Sequence, residues 1–192
     1  MSIDYQVLMW LNSLAGHSAV LDLAIVLFAK YLIYLLVIVP LLFWFAKQDR
    51  LRVRYRLVAA FLSALLARFV VVEIIHLLLP RNRPFISYNL HQLITKDNES
   101  SFPSGHTTFA VALGMSLYFY NKKIGLIILV LACLMGVARV MAGIHYPSDV
   151  AGGVIVGIIT AFLIEKLLAK RTDRFTTWAS GLSDKILPFT KL

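Results

Sequence analysis

Cysteine is almost absent from this chain of 192 residues, with Cys133 standing alone inside an apolar run. That excludes an intrachain disulfide and a cysteine-based metal site. Acidic residues are scarce, ten against nineteen Lys and Arg, and charged residues of both signs make up only 15% of the chain. There is no internal repeat and no low-complexity tract. The N-terminus carries Asp4 and no basic stretch ahead of its apolar residues, so it does not read as a cleaved signal peptide. Hydrophobic residues fill the remainder, at 59% of the chain with a mean hydropathy of +0.78. A soluble domain is nearer half apolar, so this composition points to a bilayer environment. A formal net charge of +9 would by itself invite nucleic acid. Here the basic residues stand in clusters between apolar runs, the pattern of membrane anchoring, and nucleic acid is not expected as a partner.

A spanning helix needs about 20 mostly apolar residues. Five stretches qualify or nearly so: 19–46, 57–79, 103–120, 124–142 and 148–169. Residues 1–16 place Ile3, Val7, Leu8, Trp10, Leu11 and Leu14 roughly on one helical face, which predicts an N-terminal amphipathic helix lying in the interface. The expected fold is therefore all-α, a polytopic transmembrane bundle of about five to six helices. Residues 1–171 form one membrane-embedded domain, and 172–192 a cytoplasmic juxtamembrane tail that is a second surface segment or disordered. Asp22 and Lys30 lie within the first span and mark a place where it could break. Gly153 and Gly157 form a small-xxx-small pair that predicts close helix packing.

Orientation is set by the short connections. Lys47, Arg50, Arg52, Arg54 and Arg56 fall in 47–56, Lys122 and Lys123 in the next connection on that side, and Lys166, Lys170, Arg171 and Arg174 around the end of the fifth span. With five spans these share one face, which the positive-inside rule makes cytoplasmic. The other face carries the N-terminus, 80–102 and 143–147, with Arg81, Arg83 and Lys96 as its only basic residues.

Three stretches on that second face share one grammar: Arg83-Pro84, then Pro103-Ser104-Gly105-His106, then Arg139 with His145 and Asp149 beyond it. Two arginines, two histidines and a carboxylate together suit a phosphate ester. Pro103 fits the first turn of a helix, because its missing N–H would be unpaired there. Ser104, Gly105 and His106 then sit where free N–H groups and the helix dipole favour an anion. Gly143 is a helix terminator and Pro147 opens the next helix. His145 and Asp149, four residues apart, share a face if that helix has begun. A carboxylate bonded to one ring nitrogen fixes the tautomer and leaves the other free to attack. Each stretch alone also has a plain reading: a helix start, a snorkelling arginine, a capping pair. Jointly those readings leave five chemically matched residues on one face unexplained.

These residues resemble the type 2 phosphatidic acid phosphatase superfamily of membrane lipid phosphatases. Its pattern is Lys-x6-Arg-Pro, then Pro-Ser-Gly-His, then Ser-Arg-x5-His-x3-Asp. The second stretch matches in full at 103–106. The third matches at Arg139, His145 and Asp149 with Ala138 in place of Ser, and the first matches at Arg83 and Pro84 but has His76 at the lysine position. The resemblance covers about residues 19–169. The wording "PRNRPF…SFPSGHTT…AGIHYPSDVAGG" is most similar to the bacterial undecaprenyl-diphosphate phosphatases linked to bacitracin resistance, a branch whose members can also lack the lysine. The resemblance implies His145 as nucleophile through a phosphohistidine, Asp149 as its orienting partner, and His106 as general acid. Arg83, Arg139, Ser104 and Gly105 would hold the phosphoryl oxygens. It implies a lipid phosphate substrate, no cofactor and no metal, in a multi-pass protein of the bacterial inner membrane with the site facing the periplasm or exterior.

The missing lysine asks for another cation. Arg81, two residues before Arg83, is ranked first; Lys30 and a protonated His76 are the other candidates. Arg68 and Glu73 are further charges in the second span, and Glu73 with His76 either shapes the site or neutralises charge between helices. Three other classes weigh less. A histidine zinc site lacks short ligand spacings. An ion pathway would need polar groups through the bilayer, whereas the histidines cluster at one face. A non-catalytic lipid-binding descendant is opposed by intact His106, His145 and Asp149. Oligomeric state is not legible.

Overall fold

The computed structural model describes residues 2–45, 50–96 and 99–186, with side chains left aside at 50–51 and from 169 onward. Among the described residues every regular element is helical. Helix α1 is Ile3–Asn12, α2 is Ala19–Phe45, and α3 covers 50–78. A single turn, α4, comes next at Pro84–Ser87, then α5 at Gly105–Tyr120, α6 at Lys122–Met141 and α7 at Pro147–Ile186. Four stretches are long and apolar enough to cross a membrane: Ala19–Phe45, Arg52–Leu78, Lys122–Met141 and Pro147–Leu168. Their outer faces are exposed and apolar, as at Leu35, Phe69, Val130 and Phe162. This is a multi-pass membrane protein.

Helix α5 is the hub. It has 16 residues and is about 24 Å long at ~1.5 Å per residue. Most of its buried side chains are small, among them Thr107, Thr108, Ala110, Val111 and Ala112, with Leu113 and Leu117 the larger ones, so α3, α6 and α7 all approach it closely. On α7, a Cβ added at Gly153 would lie 2.9 Å from the Ser104 carbonyl oxygen, and one at Gly157 would lie 2.8 Å from that of Thr108. The glycine pair therefore sets the α5–α7 spacing, as its sequence spacing predicts.

Both long N-terminal spans contain a π turn, Leu27–Tyr31 in α2 and Ala67–Val71 in α3. Insertions of this kind rotate the remainder of the helix by an extra residue and recur at functional sites. The first span is not split at Asp22 and Lys30; it runs on through Phe45. Asp22 instead accepts a hydrogen bond from the N–H of Gly16 at 2.9 Å, tying the turn ahead of α2.

Helix α1 is more than an interfacial float. Its N-cap Ser2 accepts from Tyr5 N–H at 3.3 Å. Leu8 is buried with Val140 and Tyr146, and Asn12 donates to the carbonyls of His91 at 2.9 Å and Met141 at 2.8 Å. Ile3 and Trp10 remain exposed on the opposite side.

Three boundaries differ from expectation. Helix α3 starts at Arg50, so Arg52, Arg54 and Arg56 are helical rather than in a loop; Arg54 stacks on Trp44 and Arg56 pairs with Glu165 on α7. Lys47 lies outside the described residues. Pro103 precedes the N-cap of α5, which is Ser104, instead of occupying the first turn. The fifth span continues as one helix to Ile186, which takes in most of the expected tail 172–192; residues 187–192 lie outside the described residues.

Candidate active site

One end of the bundle gathers the three stretches. Arg83 is the N-cap of α4, with Pro84 at its first position. Arg139 sits in the last turn of α6, which stops where Gly143 adopts φ +75°. His145 is in the short loop after it, and Asp149 stands in the first turn of α7. The first turn of α7 is tied to the N-cap of α5 by Ser104 N–H donating to the Asp149 carbonyl at 3.0 Å.

At the centre is His145, 2% exposed. Its Nδ1 faces Asp149 Oδ2 at 3.4 Å. Its Nε2 faces Arg83 Nη1 and Arg139 Nη2, each at 3.3 Å. Guanidinium groups can only donate, so this arrangement assigns the lone pair to Nε2 and the proton to Nδ1. Burial first, then the charges of Arg139 and Arg83, hold the His145 pKa well below 6.5. The ring is thus neutral near pH 7.

The surroundings hold these groups rigidly. Arg83 Nη1 donates to the Ile144 carbonyl at 3.0 Å, and Arg139 Nη1 donates to the Ala29 carbonyl at 2.8 Å. Ala29 belongs to the π turn of α2. Asp149 Oδ2 also accepts from Tyr146 N–H at 2.8 Å. The other oxygen, Oδ1, accepts from Arg81 Nη1 at 2.7 Å.

At the start of α5 the Ser104 side chain does not cap the helix; its Oγ accepts from Thr107 at 3.0 Å. The first-turn N–H groups of a helix have no intrahelical acceptor, so an anion can use them. Gly105 and His106 line a cleft of about 290 Å³ together with Arg68, Ile33, Val37 and Phe109. A Cβ at Gly105 would lie 2.5 Å from Arg68 Nε.

The candidate substitutes for the missing lysine are placed differently from one another. Arg81, expected as a phosphate ligand, lies behind Asp149. It bonds Asp149, Ser148 Oγ at 2.6 Å and Asp4 Oδ2 at 2.7 Å, and stacks on the Tyr146 ring at 3.9 Å. His76 bonds the Pro103 carbonyl through Nε2 at 3.2 Å, steadying the backbone ahead of Ser104. Lys30 is exposed, with its ammonium over the Tyr31 ring.

Two contributors are not legible from motif spacing. Asp4 accepts from Ser148 N–H at 2.8 Å and from Arg81, so α1 is bolted to the start of α7. Although burial opposes its charge, the hydrogen bonds from Ser148 and Arg81 hold the Asp4 carboxyl below its ordinary pKa. Nothing local marks Asp4, whose partners lie more than seventy positions away. Arg68 is visible as a charge in an apolar run, but motif spacing points to position 76. Among the described residues no cluster of three or more His, Cys, Asp or Glu could hold a metal ion, and positive charge is supplied by arginine.

A bilayer-spanning helical bundle with an imidazole held between a carboxylate and two guanidinium groups at one end is the architecture of a membrane phosphatase. The model of the PAP2 superfamily matches residues 56–173. The chain belongs to that superfamily and is a lipid phosphatase. It is 33% identical over 163 residues to "Undecaprenyl-diphosphatase BcrC" of Bacillus subtilis, covering 84% of this chain and 82% of that protein. It is 30% identical over 162 residues to "Bacitracin transport permease protein BcrC" of Bacillus licheniformis, covering 81% and 75%. Among solved structures, LpxE of Aquifex aeolicus superposes with a TM-score of 0.68 at 26% identity, over 86% of this chain and 96% of that one.

Proposed function

We propose that this protein hydrolyses undecaprenyl diphosphate to undecaprenyl phosphate and inorganic phosphate, at the outer face of a bacterial plasma membrane, recycling a carrier lipid for cell-wall glycan export. The observation that carries the chemistry is the convergence of Arg83 and Arg139 on His145 Nε2 while Asp149 takes Nδ1. The carrier lipid is supported by the similarity to the Bacillus subtilis diphosphatase over four fifths of both chains. The outward orientation is supported by the clustering of basic residues at the opposite end.

In this reading the terminal phosphate lies between the two guanidinium groups and the first turn of α5. His145 Nε2 attacks phosphorus, and the bond to the bridging oxygen breaks. Asp149 stabilises the positive ring that forms. His106, taking up a proton as the anionic substrate offsets the neighbouring arginine charges, gives that proton to the departing lipid phosphate. Water then attacks the N–P bond, His106 takes the water proton, and phosphate leaves with His145 restored. The arginines and backbone N–H groups stabilise the equatorial oxygens as charge develops.

The reading carries a pH dependence. A nucleophile whose pKa lies well below 6.5 stays deprotonated as pH falls through that value, and is lost only when pH approaches its own pKa. The acid limb of kcat/KM assigned to the free enzyme is therefore expected below pH 6.5 once the substrate's own ionisation is subtracted. A limb at or above the ordinary histidine value would contradict this assignment.

The substrate is tested by phosphate release from purified protein in detergent with chelator, across undecaprenyl diphosphate, phosphatidylglycerophosphate, phosphatidate and lipid A. The highest kcat/KM is expected for undecaprenyl diphosphate. A preference for one of the others would keep the chemistry and move the substrate. No release from any would leave a lipid-binding protein.

A further inference from the structure

We propose that Arg68 holds the phosphate that stays with the lipid, and so makes the site selective for a lipid diphosphate over a lipid monophosphate. This rests on the reading that the substrate is a lipid diphosphate, and names the group that would recognise it. A diphosphate presents two anionic centres. The first is matched by Arg83 and Arg139 around His145. The second lies beyond the bridging oxygen, on the leaving-group side, and a cation is needed there to offset its charge away from bulk water.

Arg68 has the right place. It shares one cleft with Gly105 and His106, and the rest of that cleft is apolar apart from Tyr34: Ile33, Val37, Ile38, Phe69 and Phe109. The charge thus stands where an apolar cleft meets the proton donor, which is where the junction between a phosphate and a hydrocarbon chain would sit. Its guanidinium lies directly against Gly105, with Nε 2.5 Å from where a Cβ would be, so a side chain at 105 would push Arg68 out of this position. The loop residue Glu99, held below its ordinary pKa mainly by Lys96, also feels both Arg83 and Arg68, which puts the two arginines on the same side of the bundle.

Arg68 is also held ready rather than consumed. Among the described residues its only hydrogen-bond partner is Glu73, at 2.5 Å through Nη1, and that carboxylate is half exposed. An arriving phosphate can take the remaining N–H groups of the fork without unseating a buried pair. The π turn at Ala67–Val71 contains Arg68 and separates it from position 76, where the family pattern expects a lysine.

The test is a pair of substrates with one tail, farnesyl diphosphate and farnesyl monophosphate, assayed by phosphate release in detergent with wild type, Arg68→Ala and Arg68→Lys. Arg68→Ala is expected to lower the preference for diphosphate over monophosphate by about 100-fold, the loss of one charge-assisted contact. Arg68→Lys should recover part of it. Turnover of the monophosphate by the same variants reports a folded site. An unchanged preference, or an equal loss on both substrates in both variants, overturns the assignment while leaving the diphosphatase reading intact. Wild type that cleaves the monophosphate and not the diphosphate overturns the diphosphatase reading, and this assignment with it.

Discussion

Phosphate release by His145→Ala is expected to fall about 10^5-fold, because the variant removes the attacking atom itself and not a contact that assists it. The site around it is already positive: Arg83 and Arg139 both face the lost ring and are each 3% exposed. The variant should still bind a lipid phosphate, since those cations keep their backbone anchors at Ile144 and Ala29. KM should therefore change far less than kcat. Rapid quenching in alkali with substrate labelled in the terminal phosphate separates the possibilities. Wild type should trap label on the protein as phosphohistidine, and the variant should trap none. Label on His145→Ala, or turnover within tenfold of wild type, would place the nucleophile elsewhere.

Asp149→Asn is expected to lower kcat by about 10^3 to 10^4-fold. The carboxylate is fully buried and accepts on both oxygens. Oδ2 serves Tyr146 N–H at 2.8 Å and faces His145 Nδ1, while Oδ1 serves Arg81 at 2.7 Å. An amide has one acceptor end. Turned toward His145 and Tyr146, its oxygen leaves the NH2 pressed against Arg81. Turned the other way, the NH2 faces His145 Nδ1, favours the tautomer with the proton on Nε2, and blocks the attacking lone pair. Either choice also leaves a buried donor without an acceptor, at about 1–3 kcal/mol. The variant should thus lose both turnover and some thermal stability. A kcat within tenfold of wild type in a folded variant would remove the orienting role from Asp149.

Much of this site is legible in local spacing. The i, i+4 spacing of His145 and Asp149 does bring them together, although across the junction of loop and helix and not on one helix face, since α7 begins at Pro147. Gly143 as a terminator and the Gly153–Gly157 pair as a packing seam depend on backbone geometry that glycine alone permits, and both are found. The five apolar runs emerge as helices, four of them long and apolar enough to cross a membrane while the run at 103–120 yields the shorter 16-residue α5, because a bilayer leaves the backbone no other way to satisfy its hydrogen bonds. The departures arise where regular structure is assumed. Counting back seven positions from Arg83 leads to His76, but that ring is taken by the Pro103 carbonyl, and Arg68, from the π turn upstream, is the residue that meets Gly105. Alternation in an extended segment pairs Arg81 with Arg83, yet ion pairs with Asp4 and Asp149 from two other helices decide where Arg81 points.

The sequence by itself thus determined the class of fold, the end of the bundle at which the chemistry-bearing residues collect, and the pairing of His145 with Asp149, because each depends on hydrophobic length, charge placement or separations within one helical turn. Only the tertiary structure decided which cation stands beside the start of α5, that α1 braces the site through Asp4, and that the π turn of α2 supplies the carbonyl anchoring Arg139. Those choices depend on contacts between residues as many as 144 positions apart, and these are settled only when the helices pack and their buried charges find partners.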